Sequence, residues 1–150
     1  NYEGSVKEYY SQNSIDIPNV SCISSQSNQH NHLIAGDKNG TLFLLDLAKK
    51  VVFSKKDLQA GRRVIHIAES MIADGEVTIT TVSAVLNSHP KIYILRYRHG
   101  EQKLIVTHEI EVCENAEDPS KLPYACQWEE YSRLLFVFTN GGNILLFRIP

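Results

Sequence analysis

Residues Leu33 to Leu47, LIAGDKNGTLFLLDL, lie on Leu135 to Ile149, LFVFTNGGNILLFRI, without a gap. The apolar positions coincide, and Gly142 falls on Gly40. Each stretch is an apolar run, a polar turn and a second apolar run, the pattern of a β-hairpin. In the first copy the turn carries Asn39-Gly40, a pair that predicts a type I′ turn with both central residues at positive φ. A third hairpin lies between the copies: Val77 to Leu86, the turn Asn87-Ser88-His89-Pro90, and Lys91 to Arg98. Leu42, Ile92 and Ile144 then occupy equivalent places, 50 and 52 residues apart. A period of that size points to a repeat architecture before any single residue is interpreted.

The flanks repeat as well. A short apolar segment precedes each hairpin: Val20 to Ile23, Val64 to Ala68, and Tyr124 to Trp128. A further strand follows the first two, at Val51 to Phe53 and at Lys103 to Val112. The latter alternates, with Leu104, Val106, Ile110 and Val112 on one side and Thr107, Glu109 and Glu111 on the other, as a half-exposed edge strand does. Each unit is therefore four antiparallel strands, the middle ones apolar on both faces and the last amphipathic. A sheet apolar on both faces needs a cover on each. Radial stacking of four-stranded sheets in a β-propeller supplies it, and the expected fold is all-β, about three four-stranded antiparallel blades. A β-sandwich of similar strands is the alternative. The units divide as 1–18, a polar lead-in in which Val6 to Tyr10 fit the last strand of a preceding blade, then blades at 19–58, 62–112 and 122–150, the last partial.

Ala35 to Asp46 resembles the hairpin of WD-repeat proteins, with a small-residue pair, an Asn39-Gly40 turn, Thr41, and an apolar run ending in Leu45-Asp46 where the family has Trp-Asp. The resemblance covers about three partial blades, from Val20 to Ile149. The third unit carries Phe147-Arg148 at the Trp-Asp place and the second Arg96-Tyr97 near it; no Gly-His pair precedes any unit. Ala35 stands where the family has the serine of its internal hydrogen-bonded tetrad, so packing is expected to hold these blades. The resemblance implies a non-catalytic scaffold that binds other proteins in a multi-subunit assembly. Cytoskeletal or ciliary assemblies are the favoured setting by that analogy.

The composition is that of a folded chain: 43% of the 150 residues are hydrophobic. Fifteen Lys and Arg against seventeen Asp and Glu leave a formal charge of −2, which supplies no overall field for nucleic acid or anionic lipid. Three cysteines, Cys22, Cys113 and Cys126, lack any C-x-x-C spacing and fit a reducing, cytoplasmic compartment. No apolar run is long enough to cross a bilayer as a helix. The chain begins at Asn1 and stops at Pro150, directly after a strand, which reads as an excerpt of a longer propeller. Further blades or partner subunits would cover its end faces, and residues 1–150 alone are expected to be insoluble or loosely packed.

Catalytic patterns are absent: no G-x-S-x-G, no phosphate-binding loop, no H-E-x-x-H. His30 and His32 form a His-x-His that could meet a metal from one strand face, but a plain connector is the stronger reading. Cys22, Cys126 and Trp128 read as core, and His66 as a hydrogen-bonded inner-strand residue. No cofactor or metal is expected. The loops that open on one face of such a propeller nominate Lys38, Asn39, Arg62, Arg63, His89 and Asn140 as protein-binding residues. A lipid- or nucleic-acid-binding propeller using Arg62/Arg63 and Arg96/Arg98 is the alternative function.

Overall fold

The computed structural model describes residues 15–24, 32–101 and 103–150. The Val6 to Tyr10 segment lies outside them, as does His30. Eleven strands form three antiparallel sheets among these residues. The first sheet runs β1 (Val20–Ile23), β2 (His32–Asp37), β3 (Thr41–Asp46) and β4 (Val51–Asp57), in that order. The second runs β5 (Val64–Asp74), β6 (Val77–Leu86), β7 (Lys91–Arg98) and β8 (Ile105–Glu111); the third holds β9 (Pro123–Glu129), β10 (Leu134–Thr139) and β11 (Ile144–Arg148). Strand neighbours in space are neighbours in sequence throughout, as in a blade.

Radial stacking shows in what the first strands touch. β5 packs on β1 and β2 on one side, and β9 packs on β5 and β6 on the other. Ser21 Oγ donates to the Val64 carbonyl at 2.8 Å, and His66 Nε2 lies 3.0 Å from the Cys126 carbonyl, so each inner strand is pinned to the next. A Cβ on Gly36 would come within 2.5 Å of Val64 Cβ; β2 can approach β5 this closely only with glycine there.

The middle sheet is apolar on both faces because it is covered on both. Val82, Ala84, Leu86, Tyr93, Leu95 and Tyr97 join one core with Ile34, Leu42 and Leu44 of the first sheet. Val85, Ile92 and Ile94, the alternate positions, join a second core with Cys126, Trp128, Leu135 and Val137 of the third. Alternation along β6 and β7 thus divides one run of residues between two seams. β8 alternates exposed and half-buried along its whole length, the expected edge pattern.

The repeat extends to individual hydrogen bonds. Lys38 N donates to Asn19 O at 3.0 Å, Asn87 N to Arg63 O at 2.8 Å, and Asn140 N to Leu122 O at 3.0 Å. Each ties the residue after a second strand to the residue before a first strand. Leu58 N to Gly40 O and Val112 N to Pro90 O repeat a second tie, from the end of a fourth strand to the turn before the third. The fourth strands carry a bulge at the same place, opposite Leu44/Leu45 in the first sheet and Ile94/Leu95 in the second.

Two local expectations are corrected. Asn39 is not at positive φ; Gly40 alone is, at +88°, matched by Gly142 at +87°. Gly36 pairs with Leu42, so the loop is three residues long, Lys38 to Gly40, with glycine in the left-handed position. Asp37 caps it, its Oδ1 accepting from Asn39 N at 2.8 Å and Thr41 N at 2.9 Å. An Asx cap makes a second left-handed residue unnecessary. The other correction is β5, which runs past Ala68 to Asp74 through the polar Glu69-Ser70, because β6 supplies a pairing partner for its full length.

Candidate protein-interaction face

The hairpin turns lie at the ends of the sheets where the first strands begin. Lys38 and Asn39 are exposed at the tip of the β2–β3 turn. The backbone of that turn presses on the connector before β5: a Cβ on Gly40 would stand 2.9 Å from the Arg62 carbonyl. Arg62 and Arg63, both exposed, therefore adjoin Lys38 and Asn39 across a blade boundary. The Asn87–Arg63 bond then holds the β6–β7 turn, with His89, to the same connector.

His89 is half-buried, its ring stacked on Tyr93 at 5.9 Å with Nε2 3.2 Å from the phenol oxygen. Burial lowers its pKa, the charges of Arg62 and Lys91 lower it further, and Glu109 opposes them. A neutral imidazole at pH 7 follows. Lys91 Nζ lies 3.6 Å from Glu109 Oε2. Five of the six nominated residues thus stand on one stretch of surface spanning two blades.

Asn140 occupies the equivalent turn of the third sheet. Its Nδ2 donates to Pro119 O at 3.1 Å, and the next amide, Gly141 N, donates to Ser120 O at 2.8 Å. The short 3-10 turn Pro119–Lys121, capped by Asp118, holds this loop as Asn19 and Leu58 hold the first turn and Arg63 the second.

The second arginine pair is elsewhere. Arg96 points to the third sheet and pairs with Glu130 at 3.0 Å, while Arg98 lies 3.8 Å from Glu101. β7 carries them toward the opposite end of the blade, and the seven steps from Lys91 to Arg98 span about 23 Å. Glu130 also accepts from Trp128 Nε1, and Arg133 lies over the Trp128 ring at 5.6 Å. This network closes the second seam. Sequence reading missed it because ion pairs between blades leave no local pattern.

The remaining candidates are structural. Cys126 is buried, and burial pushes its thiol up to about 12, with the Ser83 hydroxyl pulling the other way. Burial also raises Cys22 and Cys113, so none of the three is activated as a nucleophile. His32 lies among Phe53, Tyr97 and His99, with ring centroids 4.9 to 6.2 Å away. Among the described residues no three His, Cys, Asp or Glu side chains gather where a metal could be held, and no helix is long and apolar enough to cross a membrane.

With the blades laid out, the likeness to solved structures is one of fold. The chain is similar to one in the mitotic checkpoint complex, at 14% identity and a TM-score of 0.56 over 87% of this chain and 38% of that one. It is similar to the computationally designed Ika8 protein at 11% identity and 0.55, over 87% and 33%. Chaetomium thermophilum Raptor follows at 11% and 0.54, over 86% and 12%. The chain thus spans about a third of the first two and an eighth of the third. No protein-family model matches the sequence, and no curated protein does. The three sheets are blades of a β-propeller.

Proposed function

We propose that the chain is part of a WD-type propeller serving as a non-catalytic protein-interaction scaffold in a multi-subunit assembly. The observation that carries this reading is the turn face. Exposed polar and charged side chains there sit on loops hydrogen-bonded into the sheet ends, so a partner meets a surface that needs little ordering. The likeness of this chain to about a third of each of two longer chains agrees with it. A cytoplasmic setting, cytoskeletal or ciliary, rests on the family resemblance alone. Binding of lipid or nucleic acid by both arginine pairs together is disfavoured, since Arg96 is paired across a seam and Arg98 stands at the far end of its strand.

The test is co-purification. The full-length protein with Lys38, Asn39, Arg62, Arg63, His89 and Asn140 all replaced by Ala should lose partners that the unaltered protein retains, with its melting temperature moved by no more than a few degrees. Retention of every partner by a folded variant would remove this face from the reading.

A further inference from the structure

We propose that Lys38, Arg62 and Arg63, with Lys91 at their edge, form a docking patch for an acidic segment of a protein partner. This rests on the scaffold reading and gives it a chemistry. Of the cations on the turn face, Lys91 is neutralised by Glu109, whereas Lys38, Arg62 and Arg63 have no ion-pair partner among the described residues. Three uncompensated cations on a chain of net charge −2 mark a local reversal of sign. The Arg62 charge also reaches His89, whose protonation it opposes together with Lys91.

The patch is pre-assembled. Gly40 is wedged against the Arg62 carbonyl, its own carbonyl accepts from Leu58 N at 3.0 Å, and Asn87 N holds Arg63 O at 2.8 Å. The backbones that carry these cations are thus fixed across the blade boundary, and binding costs mainly side-chain order. The patch is also bounded. A cavity of about 200 Å³ beside it is lined by Lys56, Asp57, Tyr93 and Glu109, and with Glu109 paired to Lys91 its charges balance, so the uncompensated positive charge stops there. The footprint fits a short run of about three carboxylates rather than a long polyanion.

The same features argue against other anions. A nucleic acid neutralised by three or four cations would hold only weakly at physiological salt, since affinity scales with the number of phosphates contacted. Among the described residues no exposed aromatic stands in the patch to stack a base; their exposed tyrosines, Tyr124 and Tyr131, belong to the third sheet. A membrane surface is recognised by clusters of about four to eight basic residues.

The experiment is fluorescence anisotropy of a labelled decaglutamate peptide with the full-length protein, at 20 and 150 mM NaCl. Binding should weaken severalfold with salt, and R62E/R63E should weaken it at least tenfold. K103E, an exposed change outside the patch, should leave it unaltered. Melting curves establish that each variant is folded. Equal binding by folded R62E/R63E, or no binding by the unaltered protein, overturns the proposal while leaving the scaffold reading to the co-purification test. Tighter, Arg62/Arg63-dependent binding of a single-stranded decanucleotide or of phosphatidylserine vesicles at the same salt would also overturn it, in favour of those ligands.

Discussion

Glu69 lies on β5 with 6% of its surface exposed. Burial pushes its pKa up to about 7, opposed only in part by the Ser24 hydroxyl, which also accepts from Ile34 N at 3.3 Å. In the unfolded chain the same group titrates near an ordinary glutamate. Between that range and pH 7 the folded state therefore holds a proton that the unfolded state has lost, and stability falls as pH rises. Below and above that window the group adds no slope. E69Q should abolish the slope and, at pH 8, stabilise the fold by roughly 2 kcal/mol, with little change at pH 4. Denaturation at the two pH values measures this, and equal effects at both would show that Glu69 is ionised in the fold or solvated. The role was illegible in the sequence because Glu69 follows an apolar run and reads as its end. Only the cover supplied by another blade makes the position an interior one.

At the scale of the element, Gly40 and Gly142 share a place in the repeat and the same φ, yet they have different surroundings. A Cβ on Gly40 meets the Arg62 carbonyl at 2.9 Å, whereas one on Gly142 meets nothing within 4 Å. Alanine at either pays for the left-handed backbone, about 1 kcal/mol. At Gly40 it must also push two blades apart. G40A should therefore cost more than G142A by about 1 kcal/mol or more in equilibrium denaturation; equal losses would mean that the connector yields. Hairpin positions were legible because alternation and turn residues are local signals. The turn type was not, since Asn-Gly marks two-residue and three-residue loops alike, and the capping bonds of the Asp37 carboxylate that decide between them leave no mark in the sequence. Of the proposed contact face, the residue types and their common side of the propeller were legible. The close approach of Gly40 to the Arg62 carbonyl was not, because it depends on one blade's turn resting on the next blade's lead-in.

At the scale of the whole molecule, the two outer sheets differ from the middle one in having, among the described residues, one open face each. On the third sheet Tyr124, Ile144 and Leu146 are 48%, 58% and 59% exposed, with Phe136 and Phe138 half-buried beside them. On the first, Val20, Ile23 and Val52 are exposed. Apolar areas of this kind drive association. I144K/L146K should raise the solubility of the 150-residue chain in sedimentation assays while lowering its stability by no more than about 1 kcal/mol. Unchanged aggregation would place the adhesive surface elsewhere. The hydrogen bond from the end of each second strand to the residue before each first strand has a larger consequence. It clasps each of the three blades shut on its own, so a turn keeps its aim on its own sheet whatever changes upstream of the clasp. The connector before β5 is the exception: Arg62 and Arg63 lie in it and Gly40 rests on it. A lineage that keeps the proposed docking geometry must therefore keep that stretch, while the other linkers are free to drift.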